Sequence, residues 1–267
     1  MRTLCAGDRR GGAYGMGSRA NQGSYAKVNG LNMYYEIHGK GQPLLVLHGA
    51  TGSIEFVEEM IKKWDIGAEF QVIAPEQMGH GRTADAMDRD FNPHDMAEDM
   101  VELMRQLEID SAFVVGASMG GVIGFDMAIH HPNRVTKLAV TGANFRRDGV
   151  PAQTLEWAKT IKAEDWPRPL IEAYERLLPD GLSHWPVFFE RCVKAEVKDY
   201  TPEQMASIKA PTLIIVGDQD MVTPEHAVAT FRAIPGSQLC VVPHSRHGAL
   251  PMETVLTFLR EPVTSAH

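Results

Sequence analysis

The sequence predicts an α/β protein: a mostly parallel sheet covered on both faces, opened by an antiparallel hairpin and carrying an inserted helical cap. Three observations lead there. Asn29-Gly30 separates two strand-like runs near the start, and Asn-Gly in that setting is the strongest short hairpin signal. After it, short continuous apolar runs alternate with stretches of helical spacing, the pattern of a sheet buried on both sides. One long segment, Phe145 to Ala210, breaks that alternation.

The hairpin strands are Tyr25 to Val28 and Leu31 to Ile37. Leu44 to Leu47 follows as an apolar run bounded by Pro43 and Gly49, and Phe70 to Ala74 resembles it. From Asp95 to Leu107 the apolar residues Met96, Met100, Val101, Leu103, Met104 and Leu107 recur at helical spacing. Ala112 to Val115 is a strand, and Val122 to Ile129 a helix that stops at His131-Pro132. Val135 to Val140 and Thr212 to Val216 are strands, Pro224 to Ile234 a helix, Gln238 to Val242 the last strand and Met252 to Leu259 the last helix.

The interrupting segment is too long for a plain loop. It holds three of the four tryptophans, Trp157, Trp166 and Trp185, several helical patches and repeated prolines. Residues 145–210 are therefore expected to form a helical cap over the C-terminal edge of the strands, where α/β folds bind ligands. Residues 24–144 and 211–267 form the core around it, and residues 1–23, rich in Gly, Ser and Arg, are expected to be a flexible leader.

Composition narrows the class. A chain of 267 residues with 44% hydrophobic and 22% charged content suits one large globular domain. A formal net charge of -8, with no Lys/Arg cluster beyond Arg2, Arg9, Arg10 and Arg19, argues against nucleic-acid and anionic-membrane partners. No run approaches ~18 consecutive apolar residues, so no membrane span is expected. The leader has no apolar stretch of the kind a secretion signal needs. Cys5, Cys192 and Cys240 form no C-x-x-C pair and fit a reducing, cytoplasmic setting, with Cys240 filling the core of a strand.

Gly116-Ala117-Ser118-Met119-Gly120 reads G-x-S-x-G between a strand and a helix. Glycines on both sides of a serine allow a sharp strand-to-helix turn that would otherwise clash, and that turn lifts a hydroxyl above the sheet. The same five residues also fit a glycine-rich turn whose serine caps the helix. A nucleophilic serine needs a base and an orienting acid. Asp218 and Asp220 both follow the end of the strand Thr212 to Val216; either could instead be a turn residue bonded to its own backbone. His244 and His247 both follow the last strand. The two histidines lack a third metal ligand at suitable spacing, so no metal is expected, and no cofactor. His130 and His131 end a helix, and His38, His94, His184 and His226 stand without evident partners.

With these motifs in place the chain resembles the α/β-hydrolase superfamily, in its serine esterase and lactonase-like branch, over roughly Tyr25 to Leu259. Leu47-His48-Gly49-Ala50 is similar to the family's H-G-x turn. Pro75 to Thr83 is similar to its P-D-x-x-G-x-G-x-S loop, with Glu76 for the aspartate and Thr83 for the serine. Gly217-x-x-Asp220-x-x-x-Pro224 resembles the acid loop and favours Asp220 over Asp218. Pro243-x-x-x-His247 resembles the histidine loop and favours His247, although His244 and Arg246 replace the usual glycines. The order serine, aspartate, histidine is also the family's.

The resemblance implies that Ser118 is the nucleophile, His247 the base and Asp220 the orienting carboxylate. The backbone N–H groups of Ala50 and Met119 would form the oxyanion hole, and His48 and His80 would support the motif loops. It implies a serine hydrolase cleaving carboxylic esters of small to medium apolar substrates through an acyl-enzyme. A lactonase of the enol-lactone type is the alternative; a C–C bond hydrolase and a non-catalytic ligand-binding homologue are further ones. The aromatic excess of the cap suggests an apolar pocket, with Phe145 and Trp185 as substrate-binding residues. The expected partner is a small-molecule ester or lactone, and the oligomeric state has no signal in the sequence.

Overall fold

The computed structural model describes residues 23–193, 195 and 199–262. The expected leader, apart from Gly23, lies outside the described residues.

In chain order the elements are β1 (Ser24–Val28), β2 (Leu31–His38), β3 (Gln42–Leu47), α1 (Ile54–Trp64), β4 (Phe70–Pro75), α2 (Pro93–Gln106), β5 (Ala112–Ala117), α3 (Met119–His130) and β6 (Val135–Thr141). Then follow α4 (Ala152–Thr160), α5 (Arg168–Leu177), α6 (Trp185–Val193), α7 (Pro202–Ala206), β7 (Thr212–Gly217), α8 (Pro224–Ala233), β8 (Gln238–Val242) and α9 (Met252–Arg260). The strands form one sheet in the order β1-β2-β4-β3-β5-β6-β7-β8. β1 and β2 pair antiparallel about Asn29-Gly30, β2 joins β4 antiparallel, and every later pairing is parallel.

Alternation along each strand divides the core in two, because successive side chains point to opposite faces. Leu45, Leu47, Val114, Val140, Ile214 and Val216 face the side covered by α2, α3 and α8. Leu44, Val46, Val115, Ala139, Leu213 and Ile215 face the side that holds the buried residues of α1 and α9. A strand covered on both faces reads as a continuous apolar run, and β7 is buried at every position.

Helix α1 has no counterpart among the elements read from the sequence. Its spacing is legible nonetheless: Ile54, Val57 and Met60 are buried on one face, and the Ser53 hydroxyl caps its start by accepting from the Glu55 N–H. Cys240 differs from expectation as well. β8 is the edge strand, so its thiol is only half-buried against the core. Between β6 and β7 the chain runs through α4 to α7, as the helical patches suggested.

Lys137 on β6 is buried, and its ammonium serves the end of α9. It donates to the carbonyl oxygens of Phe258 at 2.6 Å and Leu259 at 3.1 Å, and to that of Glu261. Helix C-terminal carbonyls lack intrahelical donors and favour a cation. Replacing Lys137 with Met removes that donor while leaving the carbonyls in place. The variant is expected to lose about 2 kcal/mol of stability, read as a lower urea midpoint with an unchanged slope.

Candidate active site

β5 ends at Ala117 and α3 begins at Met119, so Ser118 makes the whole turn, at φ 51° and ψ −118°. The turn closes because its neighbours have no side chain: a Cβ on Gly116 would lie 2.3 Å from the Gly120 oxygen, and one on Gly120 would lie 2.4 Å from the Leu47 oxygen. The Ser118 N–H donates to the Thr141 oxygen at 2.8 Å, tying the turn to β6.

Three side chains meet there from three strand ends. The Ser118 hydroxyl is 2.9 Å from His247 Nε2, and His247 Nδ1 is 2.6 Å from Asp220 Oδ1. The same Asp220 oxygen accepts the Val222 N–H at 2.9 Å. Burial works to raise the Asp220 carboxyl, but the hydrogen bond and charge of His247, aided by backbone N–H groups, hold it below the usual carboxylate range. With Asp220 ionised, Nδ1 carries the imidazole proton and Nε2 is left to accept from the serine hydroxyl.

The structure separates the competing residues. Asp218 is exposed and its Oδ1 accepts the Ser245 N–H at 3.0 Å. Backbone hydrogen bonds from His244 and Ser245 hold its carboxyl below the ordinary value. Asp218 thus pins the loop that carries His247, whereas His244 points to solvent.

The H-G-x turn lies against the serine, since a Cβ on Gly49 would be 3.2 Å from Ser118 Cβ. Ala50 is the next residue of that turn. Met119 opens α3, where backbone N–H groups have no intrahelical acceptor. Two buried imidazoles hold the turn. His48 Nδ1 is 2.9 Å from the Gly49 oxygen, and its Nε2 accepts the Gln77 N–H at 3.4 Å. His80 Nδ1 is 2.9 Å from the Met78 oxygen, and its Nε2 accepts the Thr51 N–H at 3.1 Å. Each ring donates at Nδ1 and accepts at Nε2, which only a neutral imidazole can do. Burial enforces this, pushing His48 down to about 4 and His80 well below its ordinary value. Glu76, where the family pattern has aspartate, is fully buried and accepts from both the Arg82 backbone and its guanidinium. Burial pushes its carboxyl up to about 7 despite Arg82.

The helical segment reaches the same turn through residues that sequence reasoning placed in the cap but did not assign to this turn. Trp166 Nε1 donates to Thr51 Oγ1 at 3.0 Å. Phe188 stacks edge-on against His80 at 4.9 Å, and the Cys192 sulfur lies 3.6 Å from His80 Nε2. Thr51 has φ 60°, a conformation that a β-branched residue adopts only under constraint. A half-buried tryptophan must place its N–H somewhere, but no spacing in the chain indicates Thr51.

Phe145 and Trp185 take a different place from the one expected. Phe145 is 1% exposed, stacks on His226 at 4.8 Å and is covered by Arg146. Trp185 is 4% exposed, donates to the Ala163 oxygen and packs against Tyr174, Phe188 and Phe189. Protein groups already occupy their surfaces, so both act as packing residues here. The histidines read as unpartnered each meet a carboxylate: His38 meets Glu36, His94 meets Asp126, His184 meets Asp85 and His226 faces Asp148.

Comparison with known proteins finds the same fold. A family model described as the α/β-hydrolase fold matches residues 42–166. RutD of Azorhizobium caulinodans, assigned as a carbamate hydrolase, is 27% identical over 247 residues, covering 84% of this chain and 91% of its own. The serine hydrolase BPHL of Mus musculus is 26% identical over 241 residues, covering 82% and 78%. The enol-lactonase of Burkholderia xenovorans superposes with a TM-score of 0.66 at 21% identity, covering 89% of this chain and all of that one. Among the described residues no helix is long and apolar enough to cross a membrane.

The neutral state of His48 and His80 has a direct signature. In a histidine NMR titration their ring signals are expected to stay constant from pH 8 down to about 5. The sign for stability follows. The unfolded chain protonates these rings below about 6.5 and the folded chain does not, so their contribution falls as pH drops from about 6.5 toward about 4. Ring signals of either residue that titrate near 6.5 would contradict the assigned network.

Proposed function

The chain is an α/β-hydrolase-fold protein, and we propose that it is a serine hydrolase that cleaves carboxylic esters of small to medium apolar substrates through an acyl-enzyme. The observation that carries this reading is the relay from Ser118 Oγ to His247 Nε2 at 2.9 Å and from His247 Nδ1 to Asp220 at 2.6 Å, set on the turn at Ser118.

The chemistry follows from that relay. Ser118 Oγ attacks the ester carbonyl carbon while His247 Nε2 takes the hydroxyl proton. The carbonyl electron pair moves onto oxygen, where the N–H groups of Ala50 and Met119 receive it. The tetrahedral intermediate collapses, the C–O bond to the alcohol breaks, and His247 gives its proton to the leaving oxygen. Water then repeats the sequence on the acyl-serine and frees the acid. Asp220 stays ionised throughout and holds the imidazolium in place.

Residues 145–210 act in this reading as the cap over the site, held to the Ala50 turn through Trp166. Ala50, Met119 and Trp166 are half-buried and flank Ser118 or its turn, which supports an apolar acyl group. A second reading takes its substrate from the resemblance to RutD: a carbamate is also an acyl compound open to attack by Ser118. In a lactone the leaving alcohol stays tethered to the acyl group, and the same steps apply. Among the described residues Cys192 and Cys240 are free, which fits a cytoplasmic protein.

Hydrolysis of p-nitrophenyl butyrate tests the class, with an enol-lactone and a carbamate in the same panel to rank the substrates. Ser118→Ala is expected to lower kcat at least about 10⁴-fold, and Asp220→Asn by about 10⁴. Asp218→Asn is expected to keep most of the activity, and the opposite ranking of the two aspartates would reverse their roles. A fluorophosphonate should label the peptide that contains Ser118.

Trp166→Phe removes the indole N–H while keeping a ring on Phe189. With Thr51 released, kcat is expected to fall about tenfold with KM little changed, a fraction of the loss for a whole oxyanion donor. An unchanged kcat would separate Trp166 from the oxyanion turn.

A further inference from the structure

Two histidines and one aspartate converge where α2 packs on α3, outside the relay at Ser118. His94 stands in the first turn of α2, and Asp126 and His130 lie one helical turn apart on α3. Asp126 follows Ser118 by about 12 Å along the helix axis. His94 Nδ1 is 2.8 Å from Asp126 Oδ1, and His130 Nε2 is 3.9 Å from the same oxygen. The two rings meet edge to face at 4.8 Å. The three atoms all lie within 4.8 Å of one another.

We propose that His94 Nδ1, His130 Nε2 and Asp126 Oδ1 form a binding site for a divalent transition-metal ion of the zinc type. Two imidazoles and one carboxylate are a zinc donor set that leaves a fourth position for water. Atoms bound about 2.0–2.1 Å from one ion in tetrahedral geometry stand about 3.3 Å apart. Spacings of 2.8 and 3.9 Å to Asp126 bracket that value, whereas the three atoms span up to 4.8 Å. The two imidazole nitrogens must therefore close on each other by about 1.5 Å, a side-chain rotation of the half-exposed rings about the fixed Asp126.

The surroundings fit the proposal. The Asp126 side chain is fully buried, while His94 and His130 are 38% and 35% exposed, which gives an ion a path from solvent. Asp126 is held from behind, since its Oδ2 accepts the Tyr200 hydroxyl at 2.8 Å. Outer hydrogen bonds of this kind orient ligands in metal sites. The donor set favours zinc, cobalt or nickel over magnesium or calcium, which take all-oxygen shells. On binding, the proton that His94 Nδ1 shares with Asp126 moves to Nε2 of the same ring or to water, and the Nδ1 lone pair turns to the ion. An ion here would clamp α2 to α3, the helix that begins at Ser118.

The test is calorimetric titration of the full chain with zinc chloride, with cobalt chloride as an optical probe of coordination. The expected result is one zinc equivalent and the absorption of four-coordinate cobalt. His130→Gln, at the half-exposed end of α3, should weaken zinc at least about tenfold, and His94→Gln with His130→Gln should abolish binding. Tyr200→Phe should weaken it about tenfold while leaving the three ligands in place. Far-UV circular dichroism checks that each variant is folded, and magnesium chloride should give no heat. Absence of zinc binding in the wild type would overturn the proposal. So would an affinity unchanged in His130→Gln or in the double variant, because the ion would then lie elsewhere.

Discussion

Ser118 occupies φ 51° and ψ −118°, a region that costs on the order of 1–3 kcal/mol and persists only where the surroundings enforce it. The enforcement is close contact. Gly116 touches Gly120 across the turn, and Gly120 touches the end of β3. No side chain fits at either place, so the end of β5, the start of α3 and the H-G-x turn are locked into one block. Every distance at the relay depends on that block. It aims the hydroxyl toward His247 and holds Gly49 against the serine.

Around this block the protein divides its charge. Asp220 is kept ionised by the histidine and backbone donors it faces, while His48 and His80, a short distance away, are kept neutral by burial. The two states serve different ends. A charged carboxylate fixes the tautomer of His247. Neutral imidazoles can donate at one nitrogen and accept at the other, which lets them stitch two loops together without introducing positive charge. Glu76 belongs to the same stitching, with a carboxylate that is buried deeply enough to lose most of its acidity.

The helical segment between β6 and β7 is tied to the loops around the relay. Its aromatic residues pack on one another and on His80, and Trp166 binds Thr51 next to Ala50. The position of the segment is thus coupled to the geometry of the turn it contacts. The expected substrate contacts at Phe145 and Trp185 give way to packing because a large aromatic ring buries most surface inside the segment itself.

The parts of this protein that depend on local backbone rules were legible in the chain. Asn29-Gly30 marks a hairpin, continuous apolar runs mark buried strands, and glycines around Ser118 mark a turn. Ser118, Asp220 and His247 could be named because each sits at a strand end within a recurring pattern, and parallel strands place their C-terminal ends on one edge. The amphipathic α1 was legible too, from Ile54, Val57 and Met60, but lies hidden behind a motif turn. Tertiary structure alone decided that Asp218 pins a loop, that Trp166 reaches Thr51 across 115 residues, and that His94 meets Asp126 across 32. Such contacts arise when separate elements pack, and side chains far apart in sequence leave no periodic or spacing signal of where they will meet.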